Sequence, residues 1–306
     1  MKRRDFISNS IKAGVLLGSA YSVTDVNRLF AQESSNPIFD LAAIKGGSAE
    51  KMFEEGISAL GGMKNFVKPN QTVVVKPNIG WDVIPENAAN TNPNLIGRIV
   101  KHCVDAGAKK VYVFDHTCDK WDKCYTNSGI EKAVKDNGGL VVPGNDEKYY
   151  QDVVVTGGKS LKETKEHELI LESDVFINVP VLKDHRGTKL SISMKNLMGI
   201  VWDRKYWHSN DLAQCIADFA SYRKPDLNIV DAYAVMKRNG PRGVSKEDVI
   251  LSKSQIISTD IVAADSAAAK LFGKEPDKIE HIKLADEMKA GTMDLSKLNI
   301  KRIKIS

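Results

Sequence analysis

Four strongly apolar runs in this chain each stop on polar side chains, and that pattern limits the folds open to it. Val175-Phe176-Ile177-Asn178-Val179-Pro180-Val181-Leu182 runs directly into Lys183, Asp184 and His185. Thr72-Val73-Val74-Val75 stops at Lys76-Pro77-Asn78, Val111-Tyr112-Val113-Phe114 at Asp115-His116, and Leu227-Asn228-Ile229-Val230 at Asp231. β-Branched and aromatic residues at this density favour buried strands, and proline, which has no N–H, ends the second run. Helical spacing fills the intervals: Leu95, Ile96, Ile99, Val100, Cys103 and Val104 lie between the opening Asn92-Pro93 and the closing Gly107. Strands and helices alternating at these lengths predict an α/β fold, with a largely parallel or mixed sheet flanked by helices, in one domain or two intimate lobes.

The same signals place a first strand at 41–45 and a helix at 49–60 closed by Gly61-Gly62. A helix at 129–136 and a short strand at 140–142 follow. Residues 145–170 are polar and lysine-rich, which predicts a peripheral hairpin or excursion. Trp202, Tyr206, Trp207 and His208 read as an aromatic-rich loop, and Asn210 or Asp211 caps a helix reaching Arg223. Asp260 caps an alanine-rich helix at 261–272, and a helix near 279–289 with Ile300, Ile303 and Ile305 completes the fold.

Met1-Lys2-Arg3-Arg4 followed by the short apolar run 13–20 resembles a twin-arginine export signal, with cleavage expected after Ala31. Lys2 departs from the Ser or Thr usual before the arginine pair, and Ser8 from a common Lys. The resemblance implies an exported, periplasmic or extracellular protein that meets the twin-arginine translocase on its way, with the mature domain at 38–306. The apolar run falls short of the roughly 20 residues that span a membrane. Residues 1–31 hold five basic and two acidic side chains, so three of the chain's net +5 charges belong to them. The rest is too weakly basic to favour nucleic acid as a partner.

The four cysteines, Cys103, Cys118, Cys124 and Cys215, form no Cys-x-x-Cys pair, which disfavours an iron–sulfur cluster or zinc ribbon. Cys118 and Cys124 are spaced to close a short disulfide or to stay as free thiols. No Gly-x-Gly-x-x-Gly follows a strand, and there is no P-loop or Gly-x-Ser-x-Gly elbow.

In a parallel sheet the carboxyl ends of the strands share one edge, where ligands bind. Lys76, Asn78, Asp115, His116, Lys183, His185 and Asp231 are therefore expected to converge there, joined by Lys195 and Asn196 from the segment that follows. Lysines supply charge for a carboxylate or phosphate, or an amine nucleophile when burial lowers the pKa. Histidines supply proton transfer or metal ligation, with His185 and His116 the candidate ligands. Taken singly, each of these residues also fits a turn or cap role.

In order, Val75-Lys76-Pro77-Asn78, Thr91-Asn92-Pro93, Val179 to His185, Lys195-Asn196-Leu197-Met198-Gly199, Val230-Asp231-Ala232, Asn239 to Gly243 and Thr259 to Asp265 resemble the domain of unknown function family 362. Asp184 departs from the threonine usual between the lysine and histidine. Many relatives carry a ferredoxin module whose cysteines this chain lacks. The family layout is similar to that of the nickel-pincer lactate racemases, at the level of fold only. The combined expectation is an exported enzyme or cofactor-dependent protein acting on a small anionic molecule. Lys183, His185, Lys195 and Asn196 would act on the ligand, while Lys76, Asn78, Asp115 and Asp231 would hold the ligand or a cofactor. The alternatives are a non-catalytic ligand- or metal-binding protein of the cell envelope, and a redox module.

Overall fold

The computed structural model describes residues 39–306, so the arginine pair and the expected leader lie outside the described residues. The strands are β1 (Leu41–Lys45), β2 (Thr72–Pro77), β3 (Lys110–Val113), β4 (Leu140–Val141), β5 (Tyr150–Val154), β6 (Glu163–His167), β7 (Val175–Val179), β8 (Val181–His185), β9 (Lys189–Ser191), β10 (Leu227–Met236), β11 (Val249–Ser258) and β12 (Ile300–Lys304). Eight of them run in the order β12-β1-β11-β10-β7-β2-β3-β4, with β8 and β9 branching from β10. Along that path only β11 is antiparallel to its neighbours. The fold is thus α/β with a mostly parallel central sheet flanked by helices.

Side chains alternate across a strand, and the alternation builds two cores. Val74, Phe176, Val230 and Ile256 belong to one apolar cluster, while Val73, Val75, Val175, Ile177, Ile229 and Ile257 belong to the other. Helices Ala49–Ala59 and Pro93–Asp105 cover the second face, whereas Leu212–Tyr222 and Ile261–Phe272 cover the first. Each fully buried Val or Ile contributes about 1.5–3 kcal/mol, so runs apolar at nearly every position stay in the sheet because both faces are covered.

Caps set the helix starts. Asn92 accepts the N–H of Asn94 ahead of Pro93, Asp211 accepts that of Gln214, and Asp260 accepts those of Val262 and Ala263. From Arg204 onward the expected aromatic loop is a helix. Asp203 caps a helix, Arg204–Ser209, and its Trp207 is buried against Phe219 with ring centroids 5.4 Å apart. A further helix, Trp121–Asn127, precedes Ile130–Asp136. β5 and β6 pair with each other in a separate two-stranded sheet.

The strands β7 and β8 lie one after the other along the ten-residue β10, joined by Pro180. β2, by contrast, ends at Pro77, opposite Val179. The chain from Val181 onward therefore passes beyond the end of β2, and a hollow opens where that neighbour stops.

Candidate functional site

Lys76 lies two residues beyond Val74, so it shares that core face. Its parallel partner is Asn178, which in turn faces Asn228, and a row of three polar groups crosses the end of the sheet on one side. Lys76 is only 1% exposed. Its Nζ lies 2.9 Å from Asp115 Oδ1 and donates to Asn196 Oδ1 at 2.9 Å. The second Asp115 oxygen accepts the N–H of Ile79 at 2.7 Å. Burial pulls the Lys76 pKa down, and the Asp115 carboxylate opposes that pull. Gly199 closes over this pair. A Cβ there would sit 1.8 Å from Asp115 Oδ1 and 2.5 Å from Lys76 Nζ, so no other residue fits without moving the pair.

Amide groups extend this network. Asn196 Oδ1 also accepts from Asn78 Nδ2 at 3.1 Å, and Asn196 Nδ2 donates to Asn178 Oδ1 at 2.9 Å. Asn178 Nδ2 then donates to the Ser193 carbonyl and to Asn228 Oδ1, both at 3.0 Å. The turn carrying Lys195 and Asn196 is held from below by buried Asp265, whose carboxylate accepts the N–H groups of Ser193 (2.7 Å) and Met194 (3.1 Å). Burial pushes the Asp265 pKa up to about 7.

Two more lysines face the hollow without such an acid. Lys183, also 1% exposed, donates to Asn78 Oδ1 at 3.0 Å and to the carbonyl of Ala89. Lys195 reaches the sulfur of Met198 at 3.0 Å. A carboxylate contact at about 4 Å recovers on the order of 4 kcal/mol of attraction, a neutral acceptor roughly 1.5–3. With neutral partners alone, burial lowers the Lys183 pKa to about 7 and that of Lys195 to about 8.

The cavity these groups line has a volume of about 470 Å³ and also takes in His116, His185, Arg204 and Cys118. Among its lining residues Asp115 is the only carboxylate, and Lys76 already holds it. Arg204 donates to the carbonyls of His116 and Thr117, each at 2.8 Å, and stands 3.6 Å from the exposed Cys118 thiol. All four cysteines are free thiols, so Cys118 and Cys124 are not bridged.

The two histidines hold opposite tautomers. Nδ1 of His185 lies 3.0 and 3.2 Å from the N–H groups of Gly187 and Thr188, which can only donate. The neutral ring therefore carries its proton on Nε2 and has no lone pair left for a metal. Burial, with Lys195 and Lys183 nearby, lowers its pKa to about 3. His116 instead sets Nδ1 3.0 Å from the Val201 carbonyl, an acceptor, which leaves the Nε2 lone pair free. Among the described residues no three His, Cys, Asp or Glu side chains gather as a metal site requires. The expected ligand pair His185 and His116 is corrected on the His185 side.

Asp231 does not join the others. It shares its face with Ile229 and so points toward helix Pro93–Asp105, where it accepts the N–H of Asn92 at 2.8 Å and of Tyr233 at 3.0 Å. Asp184 alternates with its neighbours and holds the 239–243 loop instead, accepting the N–H of Gly240 at 3.1 Å. Lys76, Asn78, Asp115, His116, Lys183, His185, Lys195 and Asn196 all line the one cavity.

Residues 73–270 match the family model described as Domain of unknown function (DUF362). The chain belongs to this family. Every residue lining the cavity falls within the family span. In sequence the chain is similar to the thylakoid-associated protein sll1697 of Synechocystis, 26% identical over 226 residues and covering 69% of each chain. The lactate racemase apoprotein from Thermoanaerobacterium thermosaccharolyticum is similar with TM-score 0.46 and 11% identity, over 75% of this chain and 56% of its own. A structural-genomics protein from Thermotoga maritima is similar with TM-score 0.45 and 13% identity, over 78% and 59%. The chain thus spans less than two thirds of either solved chain.

Sequence reasoning missed Arg204, Asn178 and Asn228 as parts of this network. The two asparagines could have been found as the polar interruptions of otherwise apolar strands. Arg204 sits in a stretch read as a loop, where nothing distinguishes it from Lys205.

Proposed function

We propose that the strand-end cavity binds a small organic or inorganic anion, and that the chain acts on it chemically. The observation that carries this reading is the pair of buried Lys183 and half-buried Lys195, two ammonium groups lining the cavity whose hydrogen-bond partners are all neutral. A carboxylate or phosphate would supply the missing counter-charge, and the His185 Nε2–H would donate to it. Lys183, with a pKa of about 7, is the group able to take or give a proton near neutrality. Lys76, neutralised by Asp115, orders the amide network that fixes Asn78 and Asn196.

Calorimetric titration of the purified chain at pH 6.5 with phosphate, acetate and malonate, against glycerol as a neutral control, tests the reading. Saturable binding of an anion with proton uptake is expected, because the anion raises the lysine pKa values. No heat from any anion at millimolar concentration would sink it. A binding protein without catalysis is the second reading. It is favoured by His185, which at a pKa of about 3 stays a neutral imidazole at neutral pH and cannot act as a general acid. Turnover of a bound anion decides between the two.

Among the described residues no helix is long and apolar enough to cross a membrane. Arg3 and Arg4 support export by the twin-arginine route. A leader fusion to a reporter should leave the cytoplasm, and Arg3→Lys with Arg4→Lys should retain it there.

A further inference from the structure

A larger groove, about 980 Å³, adjoins the cationic cavity and shares His116, Arg204 and Lys205 with it. The β5–β6 hairpin forms one wall and the segment 202–206 the other. Its charge balances: Glu147, Asp152, Glu163 and Asp203 stand against Lys162, Lys165, Arg204 and Lys205, with Glu147 and Lys165 paired at 2.7 Å. The groove thus makes no electrostatic demand for a second anion. Its distinctive wall is aromatic. The Trp202 indole lies parallel to His116, 4° from coplanar with centroids 4.9 Å apart, and Tyr206 is exposed beside it. His116 borders both spaces, so this stack runs from the cavity mouth into the groove.

We propose that the ligand is longer than the cavity. Its anionic end meets Lys183, Lys195 and His185, and a planar uncharged body passes His116 and Arg204 to lie along Trp202. This rests on the anion-binding reading above and narrows it to one class, a carboxylate or phosphate attached to a flat conjugated body. Flat rings suit an indole wall because offset stacking adds about 0.5–1.5 kcal/mol beyond the area they bury.

Titration of the full chain with phosphate, phenyl phosphate and hexyl phosphate, and with acetate and benzoate, tests it. In the native chain the phenyl compounds should bind at least tenfold tighter than phosphate or acetate, and hexyl phosphate should gain less than threefold. Trp202→Ala should bring phenyl phosphate to within threefold of phosphate, while leaving phosphate affinity and the near-ultraviolet spectrum of the other aromatic residues intact. Trp202→Phe should restore most of the gain, which separates loss of the stack from loss of the fold. Phosphate or acetate binding with no phenyl gain, an equal gain from hexyl phosphate, or a gain that survives Trp202→Ala would each overturn the proposal and leave the anion reading standing. Failure of all five compounds to bind would remove both.

Discussion

Asp218 and Lys183 are both buried and both ionisable, yet their surroundings differ. The Asp218 carboxylate accepts the N–H groups of Lys159, Ser160 and Leu161 at 2.7–2.8 Å on one oxygen and Gln214 Nε2 at 2.8 Å on the other. Buried Glu166 is similarly matched, by Arg223 Nε at 2.7 Å and Nη2 at 3.1 Å. These acids hold the chain together, Asp218 through four donated hydrogen bonds and Glu166 through the opposite charge of Arg223. Lys183 has two neutral acceptors for its three N–H bonds, Lys195 has the Met198 thioether, and both face a cavity. A charge that serves the fold comes with its compensation built in. Under the anion-binding proposal, an arriving anion would make good the shortfall at Lys183 and Lys195.

Lys183→Met combined with Lys195→Met should break this contrast most sharply. Two charge-assisted hydrogen bonds are worth about 1.5–3 kcal/mol each, so anion affinity should fall at least 100-fold by calorimetry. The melting temperature should hold or rise, since two desolvated ammonium groups are removed. A large drop in melting temperature would mean that the lysines are structural after all. Asp218→Ala should do the reverse, costing about 3 kcal/mol in denaturant unfolding because three backbone donors lose a charged acceptor, with anion affinity unchanged.

Titration should sharpen the contrast at a smaller scale. Anion binding needs charged lysines, so affinity should weaken as pH rises through about 7 and then about 8, by up to tenfold per unit as each group deprotonates. The free protein should move in the opposite direction. Both folded pKa values lie below the unfolded 10.5, so the unfolded chain holds more protons between them, and these two groups add stability as pH rises from about 7 toward 10.5. Affinity that is flat from pH 6 to 9 would contradict the assignment. Asp231→Asn should give the smallest effect, about 1 kcal/mol of stability with unaltered anion affinity, because its carboxylate serves two backbone N–H groups on the opposite face.

That last residue shows where the sequence ceased to be legible. Apolar runs ending in polar groups foretold the parallel sheet and the meeting of Lys76, Asn78, Asp115, His116, Lys183 and His185. They did so because strand direction alone brings carboxyl ends together. Asp231 also follows an apolar run, but β10 does not end there and continues to Met236. Whether a polar residue marks an end or an interruption depends on neighbouring strands far off in the chain. Strand parity, decided by which residues register with Val74 and Ile229, separates Lys76 from Asp231, and no local signal carries that. The Arg204–Ser209 helix was hidden for a related reason, since a buried Trp207 fixes it through contact with Phe219 rather than through its own short periodicity.

The two backbone N–H groups that occupy His185 Nδ1 make the ring a filter for polarity as well as a contact. With the His185 Nε2–H and the charged forms of Lys183 and Lys195 lining one cavity, an atom settling among them below about pH 7 has to accept. A zwitterion would have to enter acid end first and keep its amino group outside, so the pocket would distinguish the two ends of an amino acid before any chemistry began.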